Sequence, residues 1–176
     1  AYLVYRNNIP IAQTTQQQFT DHYSNGLTRY KVLGILSSGY YISSEEITIP
    51  VQMPCDVISA ITPVSWIYLR LTPDAPSNSY EATADIYYKK FAGREKPVPA
   101  TANHKNKTFR AVYASKTVEQ PEAVEALLGK TVIIKTAKGK RMFGCVNRVG
   151  YDEESIYPFD LDITEIDYNE VVAYAD

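Results

Sequence analysis

Gly129-Lys130-Thr131 has the ending of a nucleotide-binding P-loop, and the basic stretch Lys135 to Gly144 (KTAKGKRMFG) follows with four of the chain's 18 Lys and Arg residues. Together they would be suited to grip phosphate. A P-loop, however, needs an earlier glycine with four residues between it and the Gly-Lys pair, so that backbone N–H groups can fold round the phosphates. It also needs a following helix whose N-terminus faces them. The required position here is Val124. The preceding segment QPEAVEALL is itself helical in pattern: Pro121 suits a first turn, Val124, Leu127 and Leu128 stand at i, i+3 and i+4, and Glu122 and Glu125 point outward. Gly129 reads as the helix stop, and TVIIKT after it is β-branched and strand-like. Helix, Gly, strand is the reverse of the P-loop order, so the phosphate reading fails.

Other chemistry is equally short of a pattern. Cys55 and Cys145 have no CxxC and no neighbouring histidine, and each reads as a small apolar residue near a strand. A disulfide between them is open on sequence alone. His22 and His104 are the only histidines, too few for a structural zinc site. The acidic series Asp160, Asp162, Glu165, Asp167 and Glu170 contains no glycine turn and alternates like a strand, so it reads as a solvated face, not a calcium loop. Asp74, Glu81 and Asp85 supply carboxylates but no nucleophile, and His104 lies in the polar TANHKNKT with no signature around it. No catalytic residue, metal or cofactor is expected, and the chain does not read as an enzyme.

Length and charge set the class. One hundred and seventy-six residues make one domain, or one domain with an arm, and are enough to bury a core. Twenty acidic against 18 basic residues give a net charge of -2, which argues against a general nucleic-acid binder. No apolar run reaches the roughly 20 residues of a membrane span, and AYLVYRNNIP lacks a signal-peptide pattern, so folding in the cytoplasm is expected. Fifteen tyrosines suit strands and half-buried surfaces, and point to interfaces.

The elements are mostly extended. Asn7-Asn8 marks a turn between two short strands, and Asn25-Gly26 is a hairpin signal between Tyr23 and Leu27. EITIPVQMP places Ile47, Ile49 and Val51 on one face. VSWIYLRLTP separates Trp66, Tyr68 and Arg70 from Ile67, Leu69 and Leu71, and PDAPSNS reads as a turn. YEATADIYYKKF is a strand, GREKPVPATANHKNK a long polar connection, and TFRAVYAS a further strand. One helix is expected over about residues 118 to 128. TVIIKT and RMFGCVNRVG then flank AKGK, whose Gly139 supplies the positive φ of a tight turn. Phe159, Leu161 and Ile163 face inward along the last strand, with Asp160, Asp162 and Thr164 outward. These patterns predict a mainly β chain, an antiparallel β-sandwich or barrel-like domain with one short helix. Residues 1 to 50, polar and glutamine-rich, read as an extended N-terminal arm and hairpin, and residues 51 to 176 as the sandwich-like module.

The order from FAGREKPV through KTFRAVYAS, PEAVEALL and GKTVIIKTAKGKRMFGCVNRVG to ITEIDYNEV resembles a module of tail proteins from long-tailed bacteriophages, particularly tail-tip and baseplate components. The likeness runs from Phe91 to Val171, about half the chain. It implies a non-enzymatic structural component of a virion tail, assembled in the host cytoplasm as a ring-like homo-oligomer against neighbouring tail proteins. Arg94 would then be a structural or interface arginine. Further interface candidates are Trp66 and Tyr68, and the hairpin residues Lys138, Lys140 and Arg141. Three other classes remain open, of which a cytoplasmic enzyme is the weakest because no catalytic constellation is recognisable. A carbohydrate-binding β-sandwich for host recognition would use Trp66 and Tyr68 on an exposed face. A small β-barrel nucleic-acid binder would use Lys135, Lys138, Lys140 and Arg141 with Phe143 for stacking.

Overall fold

The computed structural model describes residues 1–62, 64–71, 78–151 and 157–170, without the side chains of 85–87 and 99–104. Most of the turn expected over 73–79, Asp74, and the side chains of Asp85 and His104 lie outside the described residues. Among the described residues the chain is mainly β, with two open antiparallel sheets and one short helix, a sandwich-type architecture and not a closed barrel. It divides into two compact units, Ala1–Leu69 with Val132–Phe143 and Asp167–Asp176, and Arg70–Thr131 with Gly144–Ile166. Neither unit ends at residue 50, where the sequence suggested a boundary.

The first unit contains a five-stranded sheet. Strands β1 (Tyr2–Arg6), β2 (Ile9–Thr14), β3 (Gly26–Ile35) and β4 (Tyr41–Ser43) run in the order β2-β1-β3-β4, and β5 (Ile47–Val51) pairs with the first half of β3. Asn7 and Asn8, at φ 50° and 67°, form the two-residue turn between β1 and β2, a left-handed geometry that Asn tolerates and that matches the twist of a hairpin. Val4, Ile11 and Ala12 are buried, with Phe19 and Tyr30 packed against them. Residues 1 to 50 therefore build a sheet with its own small core, which corrects the expectation of an arm without one. The alternation was hidden because apolar residues are spread over both faces of these strands and several of them stay exposed.

The same unit holds β6 (Asp56–Ala60), β7 (Ile67–Leu69) and β10 (Thr131–Lys135), with β6 pairing antiparallel to both of the others. Val57, Ile58, Leu69, Ile133 and Ile134 are fully buried there. A second cluster joins Tyr23, Ile61 and Ile133 with Val64, Trp66, Phe143 and Tyr168. Phe143 is central to it, edge-on to Tyr23 at 5.5 Å and stacked on Tyr168 at 4.8 Å.

The second unit carries β8 (Ser79–Lys89), β9 (Val98–Ser115), the helix α1 (Glu119–Glu125), most of β11 (Arg141–Tyr151) and β12 (Tyr157–Glu165). Here β12 lies between β11 and β9, and β8 pairs with β9. Phe159, Leu161 and Ile163 are buried as their alternation required, against Phe109 and Tyr113 of β9. The helix is shorter than the expected 118 to 128. Leu127 is buried but Leu128 is exposed, and Gly129, at φ 71°, follows. The polar connection expected before TFRAVYAS is instead the first half of β9, paired with β8 over Val98 to Lys107. Its strand character was illegible because nearly all its described side chains are exposed, so no apolar alternation marks it.

Asn25-Gly26 is likewise not a hairpin turn. Gly26 opens β3, and the Asn25 side chain donates to the carbonyls of Thr136 (3.1 Å) and Lys140 (2.7 Å), satisfying the turn between β10 and β11. Gly139 in that turn has φ 82°, as its position required. The two glycines meet backbone to backbone: a Cβ on Gly26, itself at φ 72°, would lie 2.8 Å from the Gly139 carbonyl oxygen. Gly139→Val should lower stability by about 1 kcal/mol and Gly26→Ala by about 2 kcal/mol, since the second substitution adds a clash with backbone to an unfavourable φ. Chemical denaturation measures both. A Gly26→Ala protein as stable as the parent would contradict this contact.

Candidate functional site

Arg6 ends β1, and its side chain is only 3% exposed. A buried guanidinium must be paired, because desolvation disfavours its charge. Its Nη1 donates to both oxygens of Asp21, at 2.7 and 2.8 Å, and Nη2 pairs with Glu170. Asp21 also accepts from the Tyr30 hydroxyl (2.7 Å) and the Tyr23 amide (2.8 Å). Glu170 also holds Arg141 at 3.0 Å, and Arg141 donates to the Tyr23 carbonyl at 2.9 Å. Beside this cluster, Lys135 is 2% exposed, donates to the His22 carbonyl and stands 4.3 Å above the Trp66 ring. β1, the 21–23 turn, β10, the start of β11 and the segment at 167–170 are thus tied together by one polar network in a single unit.

The protonation behaviour follows from burial and charge. Burial works to raise the Asp21 pKa, but the Arg6 charge and the bonds from Tyr30, Arg6 and the Tyr23 amide outweigh it and hold the carboxyl below its ordinary 3.8. Burial lowers Lys135 to about 8, with Arg141 and Arg6 adding to the effect and Asp21 opposing it. Burial pushes Tyr23 up to about 12, helped by Tyr168 and Asp21, and Tyr30 up to about 12, with Asp21 adding. Both carboxylates are occupied by donors, so neither is placed as a free general base. The arrangement acts as a clamp.

Next to the clamp, on the five-stranded sheet, lies an open cavity of about 700 Å³. Val4, Tyr30, Val32, Ile47 and Ile49 give it an apolar lining, and residues from Gln16 to Asp21 complete it. Asp21 therefore belongs to both features.

The sequence candidates are dispersed. Arg94 is exposed in the turn between β8 and β9, where its amide donates to the Phe91 carbonyl. Tyr68 is 57% exposed on β7, whereas the neighbouring Trp66 is half-buried, with Lys135 over its ring. Lys138 and Lys140 are exposed at the hairpin tip, but Arg141 is held by Glu170 and Tyr23, Lys135 is buried, and Phe143 is packed between Tyr23 and Tyr168. The set proposed for nucleic acid therefore does not share one open surface. Of the acidic series, Asp162 pairs with Arg110 (3.1 Å) and Glu165 with Lys107 (3.0 Å), while Glu170 joins the clamp. Cys55 and Cys145 are free thiols. Among the described residues, no group of three or more His, Cys, Asp or Glu is placed to hold a metal ion, and no helix is long and apolar enough to cross a membrane. Sequence reasoning missed Arg6, Asp21 and the cavity. An arginine inside the alternating strand YLVYR is the one local sign of the first.

No protein-family model matches the chain, and no curated protein matches it.

Glu170→Gln should destabilise the protein by about 1 to 3 kcal/mol, because Arg6 and Arg141 lose the carboxylate they share, leaving Arg6 with Asp21 alone and Arg141 with the Tyr23 carbonyl. Unfolding by urea measures it, and a change under about 0.5 kcal/mol would show the clamp to be idle. The pH dependence has two limbs. Asp21 has a folded pKa below 3.8, so its contribution is complete above that value and is lost as pH falls through the folded one. Lys135 is lowered from 10.5 to about 8, so the unfolded state binds more protons between those values and stability rises with pH there. Tyr23 and Tyr30, raised from 10.0 to about 12, reverse the trend above pH 10. A stability maximum near pH 10 is expected, and Lys135→Met should remove the rise that leads to it.

Proposed function

We propose that this chain is a non-enzymatic structural subunit of a bacteriophage tail, which assembles with copies of itself and with neighbouring tail proteins. The carrying observation is the concentration of exposed apolar side chains on the sheet of β1 to β5, on both of its faces, with Ile42, Ile47 and Ile49 on one and Leu27 and Tyr41 on the other. Leu27 is 73% exposed, and Tyr40, Tyr41, Ile42 and Ile47 are all more than half exposed. Among the described residues, nine of the 14 exposed large hydrophobics fall within residues 1 to 49. A monomer gains nothing from such a surface, whereas a subunit that buries it on assembly gains its hydrophobic free energy. The apolar cavity beside it, edged by Gln16, Gln17 and Gln18, has the apolar centre and polar rim of a protein contact.

The resemblance of Phe91 to Val171 to phage-tail modules supports a virion tail as the setting for this surface. Neighbouring subunits are the occupants that fit a sheet with exposed apolar side chains on both faces. Of the two aromatic residues that a carbohydrate reading would use, Tyr68 alone is exposed, while Trp66 is half-buried under Lys135.

Two measurements test the proposal. The double variant Ile47→Ser, Ile49→Ser should keep its melting temperature within a few degrees, because both residues are already exposed, and should weaken self-association by about tenfold or more. Sedimentation equilibrium reads the change, and unchanged association would remove this face from the interface. Antibodies against the chain should label phage tails in electron micrographs of virions from its source. Labelling confined to non-virion material would overturn the tail assignment. Removing residues 1 to 40 is not a clean test, since it deletes Arg6 and Asp21 along with the surface.

A further inference from the structure

The ladder between β9 and β12 stops at Thr108, which pairs with Thr164. Beyond it, residues 82 to 107 continue as a two-stranded ribbon formed by β8 and β9 alone. The ribbon extends for roughly 25 Å at about 3.3 Å per residue. Apart from half-buried Val98, every described side chain in it is exposed. A lone two-stranded ribbon is marginal in water because it buries no face, so its side chains are available to a partner.

The charge on the ribbon is lopsided. Residues 82 to 107 hold six Lys and Arg against two Asp and Glu, a net charge of +4, while the rest of the chain holds twelve against eighteen, a net charge of -6. At the root of the ribbon the basic groups are neutralised locally: Lys107 pairs with Glu165 at 3.0 Å, and Arg110 with Glu81 at 3.2 Å and Asp162 at 3.1 Å. At the tip they are not. Among the described residues, Lys89, Lys90, Arg94 and Lys96 take part in no ion pair. Lys90, Arg94 and Lys96, three cations against the single carboxylate of Glu95, line a concavity of about 380 Å³ together with Phe91 and Pro97. Phe91 is 53% exposed and Tyr88 66%. A basic rim round an exposed aromatic suits an acidic protein surface, with the ring buried and the charges at the edge.

We infer that the β8–β9 ribbon is an arm by which one copy of this chain engages the acidic body of a second copy, head to tail. The inference rests on the assembly reading above and deepens it by naming the contact. The complementary charge is carried by the same chain, so a second copy satisfies the arm without any other partner. A nucleic acid would meet the +4 arm and the -6 body together, and the body would repel it. Because the arm and the body are different surfaces, the contact is heterologous and propagates to a ring or a stack.

The test is the quadruple variant Lys89→Glu, Lys90→Glu, Arg94→Glu, Lys96→Glu in the full chain. All four side chains are exposed, so circular dichroism and thermal unfolding should match the parent. The variant should self-associate at least about tenfold more weakly than the parent. It should still bind the parent protein, since its body remains an acceptor, and so cap parent assemblies at the variant's end. Self-association of the parent should also weaken by about tenfold or more between about 0.05 and about 0.5 M salt. Self-association of the variant equal to the parent's would overturn the arm while leaving the assembly reading intact. A variant that binds neither itself nor the parent would overturn the head-to-tail contact. A parent protein that stays monomeric at every concentration would remove the assembly reading and the inference together. Salt-sensitive binding of the parent to duplex DNA, lost in the variant and without self-association, would assign the arm to nucleic acid instead.

Discussion

The guanidinium of Arg6 ties three separate segments of the chain together. At 3% exposure its charge cannot remain unpaired, and its partners come from distant parts of the sequence, Asp21 and Glu170. Satisfying it fixes the 21–23 turn through the Tyr23 amide and Tyr30 hydroxyl, and holds the segment at 167–170 against β1 and the start of β11. The five-stranded sheet has a small core of its own, Val4, Ile11 and Ala12 with two aromatic neighbours. The ion network therefore supplies much of the specificity of the unit, in the sense that it permits one arrangement of these segments and penalises others. Lys135 adds a cost, because its charge is buried and has a carbonyl and an aromatic face as partners instead of a carboxylate.

Much of the fold was legible because one face of each strand is apolar and period two follows from the pleat. The strands TVIIKT and RMFGCVNRVG, the turn at Gly139 and the inward row Phe159, Leu161, Ile163 all stand where alternation placed them. Val98 to Lys107 was read as a connection for the converse reason, since a ribbon exposed on both faces leaves no periodic trace. The hairpin signal at Asn25-Gly26 was chemically sound but was used otherwise: the glycine's φ opens a strand, and the amide satisfies another turn 111 residues away. No local rule anticipates such a distant bond.

The site was less legible than the fold. Arg141 was singled out as part of a basic surface stretch, and its actual work is to pair Glu170 from a half-buried position. Asp21 stands in a polar stretch, and Glu170 in an acidic series read as a solvated face. Ion pairs between residues 164 positions apart have no signature in composition or spacing. The exposed apolar face was partly visible, since ITIPV alternates correctly. The alternation, however, does not distinguish a face packed inside the chain from one left for a neighbour.

The position of Lys135 over Trp66 has an optical consequence. Trp66 is the only tryptophan, so all indole emission comes from one ring with an ammonium 4.3 Å from its centre. A charge that close shifts the energy of the indole excited state, and the shift ends when the amine loses its proton or moves off the ring. The unit containing residues 1 to 69 therefore carries a built-in fluorophore whose colour and yield report on one buried proton and on the packing of β10, with no label attached.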